Sequence, residues 1–301
     1  VKAVDLFSGW GGFTEGATQA GVQVLYAVNH WPLAVTAHSI NHPQTDHVCQ
    51  DLRQADFTKL PDYDLLLAAP ACQGHSTASQ PRRRAYHDSM RTTAWSVIDC
   101  VEATLPKAVI VENVPAFRRW LHYVRWTQCL RAHGYDVEQV LLTATDFGVP
   151  QRRERIFIVA TRKRADLRFP RAMSEPAFGP CLQWDKGRWR AVTAAGAGAQ
   201  NRIERSRVRC GSRFLTQHTR DHMGVPLNEP IRTITAKDQW AIVDGEQYRP
   251  LTIRELARGM GFSDRYRWPL TAKRNECVRG LGNAVPPPMA RALIERVAQV
   301  A

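Results

Sequence analysis

Between Lys2 and Gly21 the chain changes texture three times, and that succession restricts the fold more than any other stretch. Lys2-Ala3-Val4-Asp5-Leu6-Phe7 reads as a strand, Ser8-Gly9-Trp10-Gly11-Gly12 as a turn, and Phe13-Thr14-Glu15-Gly16-Ala17-Thr18-Gln19-Ala20 as a helix closed by Gly21. Strand, glycine turn and helix in this order form the cofactor-binding opening of a doubly wound α/β sheet. Glycines at such a turn let backbone approach a ligand closely. The turn lacks the full G-x-G-x-x-G spacing, so it also reads as an ordinary tight turn.

Similar units follow. Val22–Val28, His47–Cys49, Leu65–Ala69, Ala108–Val111, Val137–Leu142 and Ile156–Ala160 read as strands, with helices expected over 33–40, 91–104 and 118–133. Short continuous apolar runs fit parallel strands buried on both faces. In open α/β sheets the chemistry lies beyond the carboxyl ends of such strands, which directs attention to the residues placed there. Asn29 and His30 end the second strand, and Asp51 follows the third. Pro70-Ala71-Cys72-Gln73-Gly74-His75-Ser76 ends the fourth. Cys72 reads either as a small buried hydrophobe or as a thiolate facing a ligand. Glu112, after Ala108–Val111, is costly at such a place unless paired or functional. Gln80–His87, with Arg82 and Arg83, is a polar, basic loop of the kind that closes over substrates. Alternation through Gln151-Arg152-Arg153-Glu154-Arg155 puts Arg153 and Arg155 on one side, a fork for a carboxylate or a base edge.

From about residue 163 the α/β rhythm stops. The reading is a catalytic domain over 1–165 completed by 275–301, a second domain of loops and short strands over 166–250, and a connecting helix or hinge over 251–274. In the last, Thr252 caps a helix with Glu255 completing a capping box. Ile231–Ala236 reads as a strand and 289–300 as the final helix. Charge is localised: residues 151–220 hold 17 Lys/Arg against 5 Asp/Glu, a net of +12 in a chain of net +13. A concentration of this kind meets a polyanion, usually nucleic acid. Arg188, Arg190, Arg213, Gln217, His218 and Arg220 suit base edges or phosphates. Seven scattered cysteines without a CxxC pair argue against a disulfide framework and a zinc site, and for a reducing compartment. No apolar run approaches the ~20 residues of a membrane span. The first residues enter a strand pattern directly, so no signal peptide is expected.

Six stretches in one order resemble the cytosine-C5 DNA methyltransferases: Asp5-Leu6-Phe7-Ser8-Gly9-Trp10-Gly11-Gly12-Phe13, Pro70–Ser76, Glu112-Asn113-Val114, Gln151–Arg155, Arg232-Thr233-Ile234-Thr235 and Gly282-Asn283-Ala284-Val285-Pro286. The resemblance implies a Rossmann-like α/β fold, a doubly wound, mostly parallel sheet, with a smaller, loop-rich target-recognition domain in the basic segment. It implies methyl transfer from S-adenosylmethionine, leaving S-adenosylhomocysteine, to C5 of a cytosine flipped out of duplex DNA. Cys72 would be the nucleophile, adding to C6 so that C5 gains electron density. Glu112 would hold the base's N3 and exocyclic amine, with Arg153 and Arg155 orienting it. Phe7, Gly9, Gly11, Asn29, His30, Asp51 and Asn283 would hold the cofactor, and no metal is implied. Gln73, Ser76, Arg82, Arg83, Arg213, Gln217 and Arg220 would meet DNA. A monomer of bacterial restriction-modification or phage type, working in a prokaryotic cytoplasm, is the implied setting. The chain departs from the family twice, with Asn29 where an acidic residue is usual and Ala71 where proline precedes the cysteine. Three alternatives stand beside this reading: an RNA substrate, a carboxylated S-adenosylmethionine that Asn29 would tolerate, and a non-catalytic DNA-binding module, against which the intact Cys72, Glu112, Arg153 and Arg155 argue.

Overall fold

The computed structural model describes residues 1–71, 92–219 and 222–301. The first half alternates strands and helices: β1 (Lys2–Leu6), α1 (Gly12–Gln19), β2 (Gln23–Asn29), α2 (Pro32–Asn41), β3 (Asp46–Cys49), β4 (Leu65–Ala68), α3 (Trp95–Thr104), β5 (Ala108–Asn113), α4 (Tyr123–Ala132), β6 (Asp136–Thr143), β7 (Gln151–Arg152) and β8 (Glu154–Thr161). Seven of these strands form one sheet in the order β3-β2-β1-β4-β5-β8-β6. Every pairing among β1 to β5 is parallel, and only β8 runs against its neighbours β5 and β6. The expected doubly wound, mostly parallel sheet is therefore present.

Strand alternation sorts the apolar runs into two layers. Val4, Leu6, Leu66, Ala68, Val109 and Val111 point to one side, into a core shared with Val97, Val101, Trp126 and Leu130 of α3 and α4. Ala3, Leu65, Leu67, Ala108 and Ile110 point to the other, against Phe13 and Ala17 of α1 and Leu293 and Ile294 of the last helix. A leucine buried on either side contributes about 1.5–3 kcal/mol, which is why runs with no polar face form the sheet's centre. Chain direction reverses in strand order at the junction of β1 and β4. A crevice opens at such a switch point.

The second half is more regular than the loop-rich expectation. Strands β9 (Arg190–Ala191), β10 (Arg213–Gln217), β11 (Val225–Pro226), β13 (Trp240–Asp244) and β14 (Gln247–Pro250) form a five-stranded sheet in the order β11-β10-β13-β14-β9. The short β12 (Ile231–Arg232) pairs instead with β7. Helix α5 (Ala197–Cys210) covers β10, its Ile203 packing with Phe214 and Val243. The Ala/Gly run and four arginines hid this helix, because Ile203 and Ser206 are its only small or apolar buried positions alongside Arg202. Helix α6 (Ile253–Gly259) starts with the expected Thr252–Glu255 capping box. Residues 251–274, expected to connect, supply Leu251, Leu256, Met260, Phe262 and Tyr266 to a second core around Leu215 and Ile242. Helix α7 (Arg274–Asn283) adds Val278 and Leu281 to that core, whereas α8 (Pro287–Val297) packs on the first. Ala284 belongs to the second core and Val285 to the first, so the seam between them passes through adjacent residues.

Candidate active site

That seam and the switch-point crevice coincide. The cleft they form is walled by Phe7, Ser8 and Gly9 after β1, Asn29 to Trp31 after β2, Ala69 to Ala71 after β4, Glu112 on β5, and the Arg279–Val285 segment. It encloses about 920 Å³ including its open mouth, within the range of small-molecule sites. Phe7 has a left-handed backbone, φ 60°, an outlier for a bulky residue and a form of strain that collects at functional sites. It turns the chain sharply out of β1, so that the following residues line the cleft before α1 begins. Gly12 packs so closely under Val285 that a β-carbon would run into the Val285 carbonyl. Side chains are thereby excluded at the cleft's base.

Of the residues expected at a cofactor, Phe7, Gly9, Asn29, His30 and Asn283 line this cleft, and Gly11 and Asp51 do not. Gly11 faces away, toward His38, His42 and Tyr266. Both carboxylate oxygens of Asp51 accept from Arg53, whose hydrogen bonds pull the Asp51 carboxyl down to about 2. Asn29 Oδ1 accepts from the Trp31 backbone at 2.9 Å, and Arg279 lies 4.8 Å over the Trp31 ring. Trp31, which from sequence could either stack on an adenine or pack in the core, lines the cleft, as do Trp10 and Arg279, which the sequence reading did not place at the cofactor. Arg279 belongs to a helix that only the fold brings to β2.

Glu112 closes the far end. Its Oε1 lies 2.8 Å from Arg155 Nε, with both side chains nearly buried. Burial pushes the Glu112 carboxyl above its ordinary value, against the opposing pull of Arg155 and then Arg153. The antiparallel direction of β8 makes this pair possible. Register places Asn113 opposite Ile156, so the start of β8 reaches the same edge as the end of β5.

Arg153 departs from the expected fork. It occupies the single residue between β7 and β8, so strand alternation does not carry from Arg155 to it. Its guanidinium donates to the carbonyls of Ile234, Gly282 and Ala284 at 2.9–3.0 Å. Arg153 thus staples the seam between the cores and acts on Glu112 through its charge. Asn113 Nδ2 donates to the Pro70 carbonyl, tying the end of β4 to the end of β5 two residues before Cys72. Cys72 itself, with Gln73, Ser76, Arg82 and Arg83, and Arg220 in the second half, lies outside the described residues.

A family model described as C-5 cytosine-specific DNA methylase matches residues 1–181 and 183–299. The chain belongs to that family. The Type II methyltransferase M.NlaX of Neisseria lactamica is 28% identical, across 98% of this chain and 96% of its own length. Among solved structures, an E. coli prophage-encoded protein described as a DNA modification methyltransferase superposes with a TM-score of 0.76 at 20% identity, covering 100% of this chain and 99% of that one. The S. pombe Dnmt2 methyltransferase superposes at 0.73 and 18%, covering 99% and 98%. These likenesses agree with the Rossmann-like methyltransferase fold.

In this methylase the basic second half is already partly engaged. Arg213 pairs with Asp244 at 2.7 Å and lies 5.4 Å over the Trp184 ring, which stacks parallel to Trp189. Gln217 is buried at the other end of β10 and donates to Gln239. Arg188 and Arg190 are exposed at the opposite edge of the small sheet. No described helix is long and apolar enough to cross a membrane, and no described group of His, Cys, Asp and Glu has metal-site geometry.

Proposed function

We propose that this DNA (cytosine-5-)-methyltransferase is of the type II restriction-modification kind and methylates a cytosine turned out of duplex DNA, using S-adenosylmethionine and a covalent bond to Cys72. The observation that carries the reading is the Glu112–Arg155 pair, at the sheet edge where the strand leading to Cys72 also ends. The cleft's donor set fits S-adenosylmethionine: the Trp31 face suits an adenine, the Asn29 and Asn283 amides suit hydroxyl and amino-acid groups, and the glycine turn admits a ligand against backbone. When bound, the cofactor supplies a methyl group activated by a positive sulfur.

The chain's own residues do the remainder. Cys72 Sγ adds to C6 of the base. Glu112, with a carboxyl raised by burial, holds the exocyclic amine and gives a proton to N3 as the sulfur bond forms, which leaves electron density on C5. Arg155 fixes the orientation of Glu112 and the base's O2, and Arg153 holds the seam that positions both. After transfer, loss of the C5 proton, departure of Cys72 as thiolate and return of the N3 proton to Glu112 restore the ring. A duplex carrying 5-fluorocytosine tests the scheme, because fluorine cannot leave as a proton does and the adduct persists. The wild type is expected to form a denaturant-stable complex, and Cys72→Ala to form none while still binding duplex. Methyl transfer by Cys72→Ala would overturn the mechanism.

A further inference from the structure

The antiparallel ladder of β10 and β13 pairs Gln217 with Trp240 and runs one residue further, where the His218 backbone donates to the Gln239 carbonyl at 2.8 Å. At this ladder end Gln217 Nε2 donates to Gln239 Oε1 at 3.2 Å. The two amides differ in reach. Gln217 is 7% exposed, whereas Gln239 is half-buried and keeps an open side. An amide oxygen has two acceptor sites and an amide nitrogen two donors. Among the described residues the Gln239 amide uses one acceptor site and no donor. With oxygen and nitrogen exchanged in both amides the result is the same: Gln239 keeps at least one acceptor site and one donor for a ligand.

Both partners are held from behind. His222 Nδ1 accepts from the Gln217 and Gly224 backbones, and His222 is itself buried, edge-on to the Trp240 ring. Asp238, next to Gln239, takes two hydrogen bonds from Arg274 at the start of α7, at 2.6 and 2.9 Å. Three residues earlier the chain meets the seam. Thr235 packs so closely on Gly282 that a β-carbon there would strike the Thr235 carbonyl, and the Ile234 carbonyl accepts from Arg153. Asn283, beside Gly282, lines the cleft. Gln239 therefore stands four residues of chain from the cleft wall, on a segment fixed at both ends. Ordering a glutamine costs much rotamer freedom, and here the fold has already ordered it.

We infer that Gln239 reads an adenine in the recognised duplex, with Gln217 as the positioning residue that holds its amide. The inference rests on the reading of this chain as a methylase of duplex DNA. In the major groove adenine presents an acceptor, N7, beside a donor, N6–H. Gln239 satisfies both: Nε2 donates to N7, and Oε1 accepts from N6–H through the lone pair that Gln217 leaves free. Guanine presents two acceptors on that edge, and cytosine and thymine one polar group each, so no other base satisfies both atoms. Once DNA excludes water, a wrong base leaves a polar atom unpaired, and that penalty supplies the discrimination. Gln239 is uncharged and lies outside the six family-like stretches, so neither charge nor motif pointed to it.

Bisulfite sequencing after reaction on a random-sequence duplex library tests the inference. The cytosines methylated by the wild type are expected to share an adenine at one fixed position. Gln239→Ala should lose that preference, by roughly 5- to 150-fold, and keep the rest of the site. Gln239→Glu is isosteric and still accepts from Gln217, but it offers acceptors alone, so the preference at that position should move to cytosine, whose N4 donates. Gln217→Leu should favour the same adenine less strongly. A residue that only supported the fold would change turnover on every sequence alike. Should Gln239→Ala fail to fold, Gln239→Glu carries the test by itself. A wild-type site without a fixed adenine, a Gln239→Glu variant with unchanged preference, or relaxation at every position together overturns the inference alone. Failure of the wild type to methylate any cytosine in the duplex overturns the proposed function and this inference with it.

Discussion

Replacing Arg155 with Gln removes the side chain that, among the described residues, directly pairs with Glu112, and the cost can be worked from the geometry. The two charges approach with Nε to Oε1 at 2.8 Å, at 11% and 8% side-chain exposure. With charge centres ~4 Å apart and an effective dielectric of ~20, their attraction is about 4 kcal/mol. Deleting one partner of a buried pair costs about 3–5 kcal/mol because the other charge is left unpaired. Glu112 has an escape, since burial already raises its carboxyl and losing Arg155 raises it further. A carboxyl whose folded value exceeds its unfolded one favours the fold at pH below the unfolded value, and that contribution is lost as pH rises through the folded value. The deficit of Arg155→Gln in urea unfolding should therefore be small at pH 5 and approach about 3 kcal/mol at pH 8. The double variant Glu112→Gln/Arg155→Gln should recover most of it, with no charge left to bury. An equal deficit at pH 5 and pH 8, or additive losses in the double variant, would refute the reasoning.

Two further outcomes follow from ion pairs elsewhere. Arg249 and Glu255 pair at 2.7 Å with both side chains at 0% exposure, and Glu255 also accepts from the Gln183 and Thr252 backbones; Glu255→Gln should cost about 3–5 kcal/mol in a urea titration, and a loss under about 1 kcal/mol would contradict the assignment of this pair as the second core's anchor. Duplex affinity should fall steeply with salt, and Arg188→Ala/Arg190→Ala should flatten the slope of log K against log salt by about 2. Arg168→Ala, whose guanidinium pairs with Asp166, should leave that slope unchanged. Equal slopes in all three proteins would remove the small sheet's edge from the DNA interface.

The strand ends were legible from sequence because a parallel sheet buries both faces, so uninterrupted apolar runs mark its strands and the first polar residue after each marks its carboxyl edge. Asn29 and Glu112 were found that way, Phe7 came with the family resemblance, and all three line one cleft. Asp51 was placed at the cofactor by the same logic and lies off the cleft, because a basic residue two positions on captures it locally. Arg153 misled for a different reason. Alternation holds only within a strand, and the break between β7 and β8 falls at that residue. A hydrogen-bonded chain, Asp5–Thr14–His38–His47, was invisible, since its members are 9, 24 and 9 residues apart at successive links and meet only once α1 and α2 pack on the sheet. Asp5 alone carried a signal, a charge inside an apolar run.

The basic segment shows most clearly why a charge count is not an interface. Of the 17 cations in 151–220, Arg155 is held by Glu112, Arg152 by Glu175, Arg164 by Glu138, Arg168 by Asp166, Arg207 by Glu204 and Glu246, Arg209 by Glu229 and Arg213 by Asp244. Arg153 holds carbonyls, and Arg202 is buried beneath the small sheet, its charge disfavoured by desolvation. Exposed pairs of this kind contribute at most about 1 kcal/mol each, so a phosphate can displace the carboxylate at little cost, whereas the buried arginines cannot leave. On the proposed reading the segment's positive potential would steer DNA at long range, while among its cations sequence reading at short range would fall to the described ones that are both exposed and unheld by the fold. Arg188 and Arg190 meet that condition at the edge of the sheet. Gln217, placed by sequence among the base readers, is buried and bonded to Gln239, and would reach a base only after that bond opened.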